Sequence, residues 1–126
     1  MSAGSSVIIV DKSRCMRNSL KAMISRHSCA IHEAGDEFGA LRLALAHHPR
    51  IIFISMENNN YWPNLVQTLK KKINCPVVVY TTKITRDSMA SAYFAGVDDI
   101  LINPVNQAER VEKYILKGSG AGVKYC

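Results

Sequence analysis

The sequence predicts an α/β domain whose five-stranded parallel sheet is covered by helices on both faces. Two observations carry this. Short apolar runs rich in β-branched residues recur along the chain, and the run Ile51 to Ile54 within PRIIFIS is unbroken. Such a run is too brief for a helix and fits a strand buried on both sides. Each run ends at a polar turn and is followed by a stretch of helical periodicity, in strict alternation.

In chain order, Val7 to Val10 (VIIV) is the first strand and ends at Asp11, Lys12 and Ser13. A helix from Arg14 to about Arg26 follows, with Met16, Leu20, Met23 and Ile24 on one face and Ser13 placed to cap it. Cys29 to Glu33 is a shorter, weaker strand. Glu37 to His47 is a second helix, with Phe38, Leu41 and Leu45 as its apolar side, Ala44 filling in, and Pro49 beyond its end. The third strand closes at Ser55, where the polar MENNNYWPN begins. Trp62 to Lys72 makes a third helix, with Pro63 tolerated in its first turn and Leu65, Val66 and Leu69 facing inward. Its lysines sit near the C-terminus, where the helix dipole favours cations.

Pro76 to Tyr80 (PVVVY) is the fourth strand, ending at Thr81 and Thr82. Thr85 caps a fourth helix that runs through Ala95, with Gly96 at its C-terminal stop. Asp98 to Ile102 is the fifth strand. Asn106 and Glu109 have capping-box spacing and open a last helix to about Leu116. Residues 1–6 and the glycine-rich tail, 117–126, are expected to be disordered. Residues 7–116 then form one flavodoxin-like, doubly wound (βα)5 domain with right-handed crossovers.

Bulk properties exclude several classes. No apolar run in the 126 residues approaches the roughly 20 needed to span a membrane. The N-terminal MSAGSS lacks the basic flank and apolar core of a secretory signal, so a cytoplasmic location is expected. Cys15, Cys29, Cys75 and Cys126 show no metal-ligand spacing and are read as reduced thiols, structural except for Cys126 on the tail. The net charge of +6 invites nucleic acid, but aromatics are few. The basic residues form only two small clusters, Lys70 to Lys72 and Arg14, Arg17 and Lys21. Solvated faces are the simpler reading.

Ala34 to Phe38 (AGDEF) looks like a variant of the diguanylate cyclase signature. In that family the motif needs a β-hairpin; here it runs from a weak strand into an amphipathic helix. Asp36 and Glu37 therefore read as helix-start residues. No nucleophile–base pair or glycine-rich phosphate loop is visible, and an enzyme is not expected.

From Val7 to Leu116 the sequence resembles the receiver domain of two-component response regulators. VIIVDKS looks like that family's first strand with its acidic pair, HPRIIFIS like the strand bearing the phospho-acceptor, and CPVVVYTT like the strand with the switch hydroxyl. AGVDDILINPV looks like the stretch that ends in the family's lysine-proline. The resemblance implies a phosphorelay module whose partner is a histidine kinase, a phosphotransfer protein or an output domain. It also implies a pocket whose positions are only partly kept. Asp11 matches the first metal-binding acid, but Lys12 replaces the second; the acceptor aspartate falls on Ser55, and the phosphoryl-contacting lysine falls on Asn103. Thr81 retains the switch hydroxyl, Pro104 is kept, and Ile100 stands where the family has an aromatic switch residue.

Ser55 is a poor nucleophile without a base, and no histidine is near it in sequence: His27, His32, His47 and His48 fall at helix ends or in the weak strand. Asp11 beside the Lys12 ammonium is a poor host for Mg²⁺, with Glu57 the only candidate for a second carboxylate, so no cofactor is expected. Asp11 could equally pair with Lys12 or cap the first helix. Tyr61 and Trp62 could form an exposed contact or a helix-start staple. The resulting expectation is a receiver-like module that is not phosphorylated at the usual position and acts through protein–protein contact. Its output face is expected around Met89, Tyr93, Ile100 and Tyr114, with a homodimer through the fourth helix, fifth strand and fifth helix as one use of it. The alternatives are an active regulator with a non-standard acceptor and a small nucleotide- or nucleic-acid-binding domain of the same fold.

Overall fold

The computed structural model describes residues 6–26, 29–57 and 61–117. Its strands are β1 (Ser6–Val10), β2 (Ala30–Ala34), β3 (Ile51–Ser55), β4 (Val77–Thr81) and β5 (Asp99–Ile102). The helices are α1 (Arg14–Ile24), α2 (Glu37–His47), α3 (Trp62–Lys72), α4 (Arg86–Ala95) and α5 (Ala108–Lys117), with a 3₁₀ turn, Pro104–Asn106, before the last. The strands pair in parallel in the order β2-β1-β3-β4-β5. The doubly wound sheet read from the sequence is therefore the observed fold.

Each face of the sheet has its own core. Ile8, Val10, Ile52, Ile54, Val77 and Val79 pack under α2, α3 and α4. Their strand neighbours Val7, Ile9, Phe53, Val78 and Leu101 face the other way, against Leu20 and Ile24 of α1 and Val111 and Ile115 of α5. This two-sided burial is why β1, β3 and β4 carry no polar alternation. The edge strand β2 is only partly covered, which explains its weak signal.

Local chemistry sets the helix ends. Ser13 accepts the Met16 N–H, Asp36 accepts the Gly39 N–H, and Thr85 and Ser88 form a reciprocal capping box. Gly96 ends α4 at φ +89°, a conformation that suits glycine. Asp36 thus has the helix-start role expected of it, and Ala34 to Phe38 contains no hairpin.

The structure corrects several expectations. Phe38 and Leu45 are not core: they are 80% and 51% exposed, while Ala40 and Ala44 face the sheet. Small residues let α2 approach closely; a Cβ on Gly39 would lie 3.4 Å from that of Ala34. Asn106 does not cap α5. Pro104 opens a 3₁₀ turn that consumes Asn106, whose N–H donates to the Asn103 carbonyl, and the helix begins after Gln107. Helix α1 stops at Ile24, two residues early. Ser6 already pairs with Ala30, and Lys117 ends α5; the rest of both expected termini, with Cys126, His27 and residues 58–60, lies outside the described residues. Tyr61 and Trp62 part company, the indole being buried in the core and the phenol exposed.

Cys15 is exposed rather than structural, Cys29 half-buried and Cys75 buried, and all three are free thiols. Burial pushes the Cys75 thiol up to about 11. Both basic clusters are partly neutralised internally: Arg17 and Lys21 pair with Glu33 at 2.9 and 2.7 Å, and Lys70 pairs with Asp98 at 2.7 Å.

Candidate functional site

The carboxyl ends of β1, β3 and β4 open into a cleft of about 290 Å³, lined among others by Asp11, Lys12, Ser55, Glu57, Tyr80 and Thr81. Sheet register creates it. Val10 lies beside Ile54, and Ser55 beside Tyr80, so the residues ending each strand meet at one edge. Open α/β sheets place ligands at such a crevice.

Asp11 is only 4% exposed. One carboxylate oxygen accepts the Ser13 N–H at 2.9 Å, and the other accepts the Tyr80 hydroxyl at 2.7 Å. The first bond turns the chain into α1. The second spans the full width of β3 and joins residues 69 apart in sequence. Burial, and then the neighbouring Asp11 charge, raise the Tyr80 pKa far above its ordinary value, so the phenol stays protonated as a donor. The sequence alone marks Tyr80 only as the last residue of a strand. A tyrosine at the polar end of an apolar run, needing a partner for its hydroxyl, was the available signal.

Ser55 is 2% exposed, and its Oγ accepts the Glu57 N–H at 3.0 Å. The Glu57 carboxylate turns toward β4. Its Oε2 accepts the Thr82 N–H at 2.7 Å and the hydroxyls of Thr81 and Thr82, each at 2.8 Å. The Thr82 N–H, aided by both hydroxyls and opposed by burial, holds Glu57 below its usual pKa. Thr81, itself buried, also receives the Lys83 N–H at 3.2 Å.

Asn103 is exposed and does not line the cleft. It adopts a left-handed conformation at φ +54°, which asparagine tolerates better than most residues, and donates its N–H to the Thr81 carbonyl at 2.9 Å. The described histidines also lie outside the cleft lining. His32 stacks on His47 with ring centroids 3.8 Å apart, and His48 caps α2.

The expected output residues lie on both sides of the sheet, around the edge strand β5. Met89 and Tyr93 are exposed on α4, and Ile100 is half-buried against the core beneath that helix. Tyr114 packs on the opposite side of the sheet, and its hydroxyl donates to Asp99 at 2.6 Å. Strand alternation explains the split, because adjacent residues Asp99 and Ile100 project to opposite faces. Phe94, missed in the sequence, is 77% exposed and meets Tyr93 edge-on at 5.7 Å.

The family model for response regulator receiver domains matches residues 7–115. The chain belongs to that family. No curated protein gives a significant sequence match. Among solved structures, a response regulator from Thermotoga maritima is 21% identical, covering 88% of this chain and 97% of its own, with a TM-score of 0.78. A two-component response regulator from Clostridium difficile is 22% identical, covering 89% and 95%, with a TM-score of 0.79. A Burkholderia pseudomallei response regulator protein, solved with a phosphorylated aspartic acid, a calcium ion and citrate, is 19% identical and covers 96% and 72%, with a TM-score of 0.77. These similarities show the shared receiver fold.

The receiver family's divalent cation needs oxygen ligands that include carboxylates. The residues present do not fit it. Both Asp11 oxygens already accept hydrogen bonds, Lys12 brings an ammonium to the cleft, and the Glu57 carboxylate is turned onto Thr81 and Thr82. Among the described residues, no cluster of three or more His, Cys, Asp or Glu side chains is placed to hold a metal.

Proposed function

We propose that this receiver domain signals through protein–protein contact without accepting a phosphoryl group at its β3 tip. The observation that carries this reading is Ser55: a buried neutral hydroxyl that accepts the Glu57 N–H, in a cleft lined, among the described residues, by no histidine to act as base. Transfer from a phosphohistidine needs an activated nucleophile and positive charge on the moving oxygens. The Asn103 side chain supplies neither, and Lys12 stands at the β1 end of the cleft. Receiver domains act with histidine kinases and output domains. The surface this one offers is the exposed α4 ridge of Met89, Tyr93 and Phe94, open to an output protein or to a second copy of the chain. The internal pairing of Arg17, Lys21 and Lys70 favours that reading over nucleic acid.

Incubation with acetyl phosphate and Mg²⁺, followed by intact and peptide mass spectrometry, should leave the protein unmodified. A phosphoryl adduct on Ser55 would refute the proposal. An adduct on Glu57, the other carboxylate in the cleft, would establish an active regulator with a displaced acceptor instead.

A companion titration with millimolar Mg²⁺, followed by amide chemical shifts, should show no saturable change at Asp11, Ser55 or Glu57. The Lys12→Asp variant should begin to bind, because it replaces a repelling ammonium with a ligand. Saturable shifts in the unaltered protein would contradict the lost cation site.

A further inference from the structure

The loop after β4 holds a small anion site that the chain fills itself. Three donors from two consecutive residues converge on one oxygen: the Thr81 hydroxyl, the Thr82 N–H and the Thr82 hydroxyl all reach Glu57 Oε2 within 2.8 Å. The carboxylate comes from a different loop, two residues past the end of β3, and its own backbone is pinned by the Glu57 N–H to Ser55 Oγ. Hydrogen bonds to a charged acceptor are roughly twice as strong as neutral ones.

We infer that Glu57 is a built-in anionic ligand of the β4–α4 loop, fixing the Thr81 hydroxyl and the start of α4 in one position. The consequence follows the chain. Thr82 is held by Glu57, Thr85 caps α4 through its box with Ser88, and Met89 sits one residue further on. Both ends of this short connection are anchored, and the ridge that carries Met89, Tyr93 and Phe94 is anchored with them. The neutral Ser55 leaves the Glu57 charge without a like-charged competitor at the β3 tip. The signalling meaning of this lock rests on the function proposed above. The contact itself does not.

The test uses the full chain and amide-resolved NMR with hydrogen exchange. In Glu57→Ala, the Thr82 N–H should exchange about tenfold faster or more, as loss of a hydrogen bond to a charged acceptor implies, and the Met89 and Tyr93 amides should shift. Added acetate should then restore the Thr82 shift saturably, because an external carboxylate can enter the vacated site. Glu57→Gln, which keeps the shape and an acceptor oxygen but no charge, should fall between wild type and Glu57→Ala. An unchanged Thr82 in Glu57→Ala, no recovery with acetate, or a Glu57→Gln variant as protected as wild type would each overturn the inference. Beryllofluoride with Mg²⁺ on the unaltered protein separates the two readings: a response at Ser55 refutes the proposed function and leaves the amide results for Glu57 standing.

Discussion

The triple variant Lys12→Asp, Ser55→Asp and Asn103→Lys takes up a phosphoryl group from acetyl phosphate and Mg²⁺, while the unaltered protein remains unmodified. The substitutions return a nucleophile to the tip of β3, a second carboxylate beside Asp11 and a cation to the β5 end. Catalysis of phosphoryl transfer is mostly positioning and electrostatic stabilisation. Loss of one preorganised electrostatic contact in an active site costs about 10²–10³ in rate, so three coordinated losses are enough to silence the cleft. Two native contacts temper the gain. Tyr80 still occupies one Asp11 oxygen, and Glu57 still holds Thr81. Adding Tyr80→Phe to the triple variant should therefore raise its labelling further by freeing a metal ligand. Lysine at position 103 must also adopt the left-handed backbone at φ +54°, a cost of about 1–2 kcal/mol. Mass spectrometry with and without Mg²⁺ decides the matter. Equal labelling of the triple variant and wild type would show that these three positions are not what separates this chain from an active receiver.

Phe53→Ala destabilises the domain by about 3–5 kcal/mol, whereas Phe38→Ala changes stability by no more than about 0.5 kcal/mol. Phe53 lies on the central strand, beside Ile9 and Val78, and none of its surface reaches solvent. Deleting its ring opens a cavity that close-packed neighbours fill only partly. The ring of Phe38 is 80% exposed, so its removal leaves no void. Urea unfolding of both variants, compared at constant slope, is the measurement. A cost above 1 kcal/mol for Phe38→Ala would place that ring in a contact within the chain or with a second copy.

The sequence by itself determined the alternation of strands and helices, because an unbroken β-branched run and a 3.6-residue period are each written in neighbouring residues. Caps are equally local, and Ser13, Thr85 and Gly96 occupy the ends expected of them. The departures at Lys12, Ser55 and Asn103 were legible only through the resemblance to receiver domains, which implies what that family carries at each of these positions. The apolar face of α2 was not legible. Phe38 and Leu45 satisfy helical spacing as well as Ala40 and Ala44 do, and only the closeness of α2 to the sheet selects the small pair. The bonds that define the cleft were hidden for a different reason. Tyr80 meets Asp11 across β3, Glu57 meets Thr81 and Thr82 across two loops, and Asp99 turns away from Ile100 toward Tyr114. No periodicity encodes those pairings. They depend on strand order and register, which exist only once right-handed crossovers have laid β1, β3, β4 and β5 side by side.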